Sequence, residues 1–200
     1  MEMNIQKNSG NKLLLLPDGQ NPLVHVNIKY PLSGDEKIDK YIVNIVSGLE
    51  KFARKKLVKR AKKFYGNLQS AQPFSLVATF RVTLDNEKLF CFYLDAFVWQ
   101  GSGRSVVKRI PLNFDRTVSS LIFPLEKRKR RELTGNLRVA LSTMVYDKAY
   151  YSDCHKRALR YLRKNNAVIS RDGIYLTYNS GILAPHDRGA VSILLFPLRN

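Results

Sequence analysis

The stretch from Phe74 to Asp115 constrains the fold more than any other part of the sequence. It reads FSLVATFRVTL at 74–84 and LFCFYLDAFVW at 89–99, with an apolar residue at every even position. A period-two alternation rich in β-branched and aromatic residues is typical of strands that bury one face. The two segments therefore predict a β-hairpin, and 106–115 predicts a third strand.

The loop of this hairpin follows from the alternation. Paired residues of neighbouring strands lie on the same face, so even positions must pair with even positions. Such pairing needs a loop with an odd number of residues. Asp85-Asn86-Glu87 supplies three, and Asn86 tolerates the left-handed conformation.

A long amphipathic helix is predicted before the hairpin. Apolar residues recur at steps of three and four over 38–64, which is the pattern of a helix that buries one side. Ser33 and Glu36 have the spacing of a capping box, so we expect Ser33 to be the N-cap. Such a helix would be about 45 Å long, so we expect it to project or to break, with Gly48 as the weak point.

Shorter elements fill the rest of the chain. Helices are predicted at 133–145 and 152–164, and strands at 13–16, 23–30, 167–170, 174–179 and 191–196. Strands mixed with helices at no fixed repeat predict an α+β fold. We expect a curved antiparallel sheet with a central hairpin, packed against the long N-terminal helix and the two shorter helices. Residues 1–22 would form a tail with a short strand, and residues 23–200 a single domain.

The charge of the chain points to an anionic partner. Thirty-four Lys and Arg against sixteen Asp and Glu give a net charge of +18, which favours nucleic acid, acidic wall polymers, anionic lipid or an acidic protein. The alternative is a basic surface that is simply solvated. Three clusters on predicted helices carry the charge: Lys51, Arg54, Lys55, Lys56, Lys59, Arg60, Lys62 and Lys63; the run Lys127, Arg128, Lys129, Arg130 and Arg131; and Lys156, Arg157, Arg160, Arg163 and Lys164.

Residues with the spacing of a catalytic or metal site are not found in the sequence. The three histidines and two cysteines have no metal-ligand spacing, and the cysteines are too few for a disulfide framework. The segment 101–103 lacks the spacing of a nucleophile elbow or of a P-loop. Asp95, a lone acid in an apolar strand, is either a paired core charge or an edge marker, and we expect the pair. We expect no catalytic residue, no metal and no other cofactor.

Export is not predicted from the sequence. The chain has no apolar run of the roughly 20 residues that a membrane span needs. The apolar run 13–16 is shorter than the signal-peptide core of at least about seven residues. A cytoplasmic location is therefore the default expectation.

The C-terminal third resembles a known closing pattern. It consists of DGIYLTYN at 172–179, ILAPHDRG at 182–189 and a last strand that ends at Pro197, with Asn113-Phe114-Asp115 and Tyr30-Pro31 earlier in the chain. These elements resemble the C-terminal extracytoplasmic domain of lysozyme-sensing anti-sigma factors of Gram-positive bacteria, a domain also attached to some peptidoglycan deacetylases. The chain departs from that family at three places. It has Gln-Gly-Ser-Gly at 100–103, where Gly-Gly-Ala-His is usual, and His186, where Tyr is usual; the Gly that usually follows Asn-Phe-Asp is replaced around Val118-Ser119.

The resemblance implies a non-catalytic α+β domain that recognises partners outside the membrane. We therefore expect a binding or sensor domain of the bacterial envelope type, with a protein or an anionic wall polymer as partner. Lysozyme is not the expected ligand, because it is strongly basic and a chain of +18 would repel it. The alternative is an intracellular nucleic-acid-binding protein that uses the basic helices.

Two glycine-bearing loops are candidate partner sites, because loops on a rigid sheet often hold binding residues. The directed polar side chains of these loops are Gln100, Arg104, His186, Asp187 and Arg188. The alternative is that both loops are variable connectors. For a polyanion, the expected site is instead Lys55, Lys56, Lys59 and Arg60, together with the run 127–131.

Overall fold

The computed structural model describes residues 9–17, 22–65, 72–101, 103, 105–142, 144, 147 and 149–198. Its helical elements are α1 Glu36–Phe52, a π-helical segment Ala53–Leu57, α2 Val58–Tyr65, α3 Arg130–Ser142, α4 Cys154–Arg160 and a 3-10 turn His186–Arg188. Its strands are β1 Ser9–Leu16, β2 Val24–Pro31, β3 Phe74–Asp85, β4 Leu89–Trp99, β5 Val106–Asp115, β6 Ser120–Leu121, β7 Ala167–Ser170, β8 Gly173–Tyr178 and β9 Val191–Pro197.

The strands form two sheets. The first has the order β1-β2-β3-β4-β5-β6, and the second has the order β7-β8-β9. The predicted α+β class is confirmed, but the prediction of one antiparallel sheet is wrong. β2 and β3 run parallel, because the long helical connection between them can return the chain to the same end of the sheet. The last three strands pair with one another and make a sheet of their own.

The chain divides into two compact units. The first has the described residues of 1–80 and 96–105, and the second has those of 81–95 and 106–200. Strands β3 and β4 contribute residues to both units, and the single domain over 23–200 stays a prediction. In the described part of the chain, no helix is long and apolar enough to cross a bilayer.

The first unit packs one face of its sheet against helix. Alternate residues of β2 and β3 are buried and lie opposite one another, as in the pairs Val24↔Phe74 and Val26↔Leu76. The helical residues that are buried in this unit are Ile38, Ile42, Val46, Ala53, Leu57, Ala61 and Tyr65. Two strands precede α1, so the description of the long helix as N-terminal is wrong.

The long helix begins and deviates at other residues than predicted. Its N-cap is Asp35 and not Ser33: Asp35 Oδ1 accepts hydrogen bonds from the Lys37 and Ile38 amides at 2.9 and 3.2 Å. The helix departs from α-helical geometry in the π-helical segment and not at Gly48. Buried residues at steps of four, Ala53, Leu57 and Ala61, would drift by about 40° per step on an α-helix of 3.6 residues per turn. A wider π turn corrects that drift and keeps them on the buried side.

The cap gives a first testable prediction. Asp35→Ala should lower the free energy of unfolding by about 1 kcal/mol, because two amides of the first helical turn lose their acceptor. Asp35→Ser should recover most of that loss, since serine is an equally good N-cap. Urea unfolding followed by circular dichroism measures both. Equal stability of the wild type and Asp35→Ala would contradict the assigned cap.

The predicted hairpin has a loop of the predicted length. β3 ends at Asp85 and β4 begins at Leu89, so the loop is 86–88, one residue later than expected. Asn86 stabilises it through its side chain, whose Oδ1 accepts from the Lys88 and Leu89 amides at 3.0 and 2.8 Å. Among the described non-glycine residues only Ser119 has a positive φ, so Asn86 does not adopt the left-handed conformation that asparagine tolerates. The bounds predicted for the third strand are confirmed in β5.

Candidate anion-binding site

The second unit contains a pocket of about 510 Å³, within the size range of small-molecule sites. The six-stranded sheet contributes Arg81, Val82, Thr83, Tyr93 and Arg109 to its lining. The three-stranded sheet and its first turn contribute Val168, Ser170, Arg171, Asp172, Tyr175 and Ser192. Three guanidinium groups in one pocket make it a candidate site for an anion.

Side chains fasten the two walls of the pocket together. Asn113 of β5 is 2% exposed, and its Nδ2 donates to the Ala167 carbonyl at 2.8 Å while its Oδ1 accepts from the Ile169 amide at 2.8 Å. Further along β5, Asn179 Oδ1 accepts from the Arg109 amide at 2.9 Å, and Ser180 Oγ accepts from the Val107 amide at 2.8 Å. These side-chain amide and hydroxyl groups take the place of the backbone hydrogen bonds that a neighbouring strand would make along one edge of β5.

The turn between β7 and β8 presents two charged residues to the pocket. Ser170 pairs with Gly173, so the turn is the dipeptide Arg171-Asp172. Gly173 has φ +152°, and a Cβ there would overlap the Phe196 carbonyl oxygen, so glycine is the residue that fits. The Leu198 amide donates to the Asp172 carbonyl at 2.9 Å. A register shift between Ile174 and Tyr175 is the kind of bulge that re-aims a side chain.

Arg109 is held rigidly on one wall of the pocket. Its Nε and Nη2 donate to the two carboxylate oxygens of Asp95 at 2.7 and 2.6 Å, and its Nη1 donates to Ser192 Oγ at 2.8 Å. The guanidinium lies 4.0 Å from the centroid of the Tyr93 ring. Burial acts to lower the pKa of Arg109, but the hydrogen bonds and charge of Asp95 raise it above its ordinary value. The predicted pairing of Asp95 is confirmed.

The acid on the opposite wall is ionised at neutral pH. The Tyr175 hydroxyl donates to Asp172 Oδ2. This bond and one from Ser170 hold the pKa of Asp172 below its ordinary value, and the same bond to Asp172 raises the pKa of Tyr175. Asp172 is therefore a fixed negative charge beside the arginines.

Arg81 and Arg171 differ from Arg109 in having no partner among the described residues. Both side chains are exposed, and neither makes a hydrogen bond or an ion pair within that part of the chain. Counting Asp95 and Asp172 against the three arginines leaves the site with a single positive charge. The pocket therefore offers two guanidinium groups that a ligand can engage without breaking an existing pair.

The residues predicted in the two loops lie elsewhere. Gln100 belongs to the first unit, where its Oε1 accepts from Arg60 Nη1 at 3.1 Å, and Arg104 lies outside the described residues. His186, Asp187 and Arg188 form the exposed 3-10 turn of the second unit. His186 Nδ1 shares a hydrogen bond with Ser180 Oγ at 3.1 Å. These residues stay a predicted site.

The basic clusters are only partly helical. Lys55, Lys56, Lys59 and Arg60 lie exposed on the π-helical segment and α2, as predicted. The prediction is wrong for Lys127, Arg128 and Lys129, which precede α3; the bonds from the Glu126 amide to the Phe123 carbonyl and from the Arg128 amide to the Leu125 carbonyl close turns there instead. It is also wrong for Arg163 and Lys164, which follow α4.

Sequence reasoning missed the pocket arginines because none of them belongs to the three basic clusters. Arg81 stands among the outward positions of a hydrophobic strand, Arg109 in the next strand but one, and Arg171 in a short turn. A search for runs of charge cannot find them. The available signal was Arg81, the single charge in the apolar segment 74–84, which resembles the signal that indicated a partner for Asp95.

Comparisons with known proteins place the fold. No protein-family model matches the chain, and no curated protein matches it. The chain is similar to the crystal structure of a DUF3298 family protein from Pseudomonas aeruginosa PAO1, with TM-score 0.64 and 17% identity over 94% of this chain and 89% of that chain. It is also similar to a DUF3298 family member from Bacteroides fragilis NCTC 9343, with TM-score 0.61 and 16% identity over 96% and 92% of the two chains. The protein therefore has the α+β fold of these bacterial DUF3298 structures.

Proposed function

We propose that the protein is a non-catalytic binding or sensor domain of the bacterial envelope type, which recognises an anionic group on a protein or a wall polymer. The observation that carries this proposal is the pocket, in which two arginines without a partner among the described residues stand beside a third that is fixed by Asp95. Guanidinium groups present planar pairs of donors that match carboxylate and phosphate oxygens. A ligand anion would complete the pairing that the pocket leaves open.

The envelope assignment draws on the sequence. The segments at 113–115, 172–179 and 182–189 resemble the extracytoplasmic domain of lysozyme-sensing anti-sigma factors. The fold shared with two bacterial proteins supports a bacterial domain. Two of the resembling segments contribute to the second unit around the pocket: Asn113 fastens its walls, and Asp172 and Tyr175 line it.

A second candidate function is nucleic-acid binding by the long helix. Its carrying observation is the exposed basic face that includes Lys55, Lys56, Lys59 and Arg60. On this face Glu50 is already paired with Lys12 and Arg54, so the lysines stay available for phosphates. Such binding would weaken with salt at a slope of about −0.9 per phosphate neutralised on duplex DNA.

One binding experiment separates the two functions. The wild type, Arg81→Ala/Arg171→Ala and Lys55→Ala/Lys59→Ala are titrated with fluorescent poly-L-glutamate and with a DNA duplex, and anisotropy is read at low and at moderate salt. Lys29→Ala/Arg138→Ala is the control, because it removes the same charge from exposed sites elsewhere. We expect the pocket variant alone to lose most of its polyglutamate binding, because it lacks the two open guanidinium groups.

The possible results point in different directions. Binding of DNA with a steep salt slope, lost in the helix variant and kept in the pocket variant, would replace the first function by the second. Polyglutamate binding that falls equally in all three variants, the charge-matched control included, would reduce the interaction to net charge. A hydrolytic or transferase activity that copurified with the wild type would overturn the non-catalytic proposal.

A further inference from the structure

We propose that the pocket of the second unit binds the free carboxylate of an amino-acid or peptide ligand between Arg81 and Arg171, and that Asp172 accepts an N–H group of the same ligand. This inference rests on the proposed function, since it names the ligand class of the same pocket. Three properties of the pocket support it: its net charge, its open donors and its acceptor.

The charge of the site fits a ligand with one negative charge. Arg81, Arg109 and Arg171 face two carboxylates, Asp95 and Asp172, so one positive charge stays uncompensated. A carboxylate would neutralise it. A phosphate monoester carries a charge of about −1.5 to −2 at neutral pH. It would therefore give the pocket a net negative charge beside the ionised Asp172.

The donors that remain open belong to guanidinium groups, which suit a planar anion. Three of the N–H groups of Arg109 are already engaged by Asp95 and Ser192. The Thr83 hydroxyl is engaged as well, with the Ile169 carbonyl at 2.6 Å and the Cys91 carbonyl at 3.1 Å. Arg81 and Arg171 use none of their donors on the described residues, and each can hold a carboxylate through two parallel hydrogen bonds. Ser192 Oγ accepts from Arg109 and keeps its own proton for the ligand.

The acceptor explains why the ligand should carry an N–H group. Asp172 lines the pocket and accepts from Tyr175 and Ser170. An ionised carboxylate has about four acceptor positions, so positions remain open. A simple anion would be repelled by this charge, whereas an amide or ammonium group close to the carboxylate would use it. Amino acids and peptides combine these two groups at a fixed short separation.

The inference is tested by NMR titration of the full chain with small probes. The probes are N-acetyl-alanyl-alanine, its C-terminal amide, inorganic phosphate and pyrophosphate, and the arginine Nε–H signals report where each binds. We expect the acid to shift the signals of Arg81 and Arg171 and to bind at least about tenfold more tightly than the amide, the size of a lost charge-assisted bond. Arg81→Gln and Arg171→Gln should each weaken the acid about tenfold.

The Asp172→Asn variant should change two ligand affinities in opposite directions, which a purely structural role of Asp172 would not do. It should weaken the acetylated peptide acid while it strengthens inorganic phosphate, because it removes a charge that attracts N–H groups and repels anions. Arg138→Gln, an exposed change on α3, is the control and should leave every affinity unchanged. Melting temperatures of the variants should agree with that of the wild type, since none of the three pocket side chains is buried.

Failure of this inference is distinguishable from failure of the proposed function. If phosphate or pyrophosphate binds more tightly than the peptide acid, or if acid and amide bind equally, the carboxylate ligand is wrong. The anionic-partner function then stands as long as polyglutamate binding still depends on Arg81 and Arg171. If the binding of polyglutamate and of every small probe is independent of the two arginines, the inference and the proposed function are both wrong.

Discussion

Asn113→Ala is expected to lower the free energy of unfolding by about 2–4 kcal/mol, because the buried Ala167 carbonyl would lose its partner at a cost of about 1–3 kcal/mol and the partly buried Ile169 amide would lose its own at about 1 kcal/mol. Asn113 donates to the Ala167 carbonyl and accepts from the Ile169 amide, both at 2.8 Å, and its side chain is almost wholly buried. Alanine leaves no group that can replace either bond. Chemical unfolding followed by fluorescence and by circular dichroism measures the loss.

A matched control is present in the same chain. Asn86 also makes two side-chain hydrogen bonds to the backbone, both of them from amides, at 3.0 and 2.8 Å, but it is exposed in the loop before β4. Water can take over its role, so Asn86→Ala should cost no more than about 1 kcal/mol. Equal losses for the two variants would show that burial does not set the cost, and would contradict the role assigned to Asn113.

Asp95→Ala should destabilise the protein by about 2–4 kcal/mol, because it leaves the Arg109 guanidinium largely buried without its counter-charge. Both side chains of this pair are 13% exposed, so the loss should approach that of a fully buried pair. Asp85→Ala is the comparison: its partner is also an arginine, at 2.6 Å, but the acid is 41% exposed. That substitution should cost about 0–1 kcal/mol. Urea unfolding of both variants measures the difference.

The double variant Asp95→Ala/Arg109→Met identifies the cause. If the loss in Asp95→Ala comes from an unpaired charge, removal of that charge should recover part of the stability. A double variant as unstable as the sum of its single changes would mean that the two residues contribute independently. The pairing would then have no energetic role.

The local pattern of the sequence determined where most elements lie. The period-two alternation of apolar residues over 74–84 and 89–99 became β3 and β4, the segment 106–115 became β5, and the three- and four-residue steps over 38–64 became the long helix. Burial of one face is a property of consecutive residues, so it can be read without knowing what covers that face. The lone Asp95 likewise indicated a paired charge, because an unpaired carboxylate inside an apolar strand is costly.

Which distant segments meet depends on contacts that form when the chain folds. The parallel pairing of β2 with β3, the separation of β7, β8 and β9 into a sheet of their own, and the choice of Arg109 as partner for Asp95 join residues far apart in the chain. The same holds for the pocket, whose three arginines come from β3, β5 and the turn after β7. The three arginines line one pocket because the strands pair and because Asn113 makes two hydrogen bonds between the pocket walls. Local composition therefore pointed to the conspicuous basic runs, while the isolated arginines became a site only through folding.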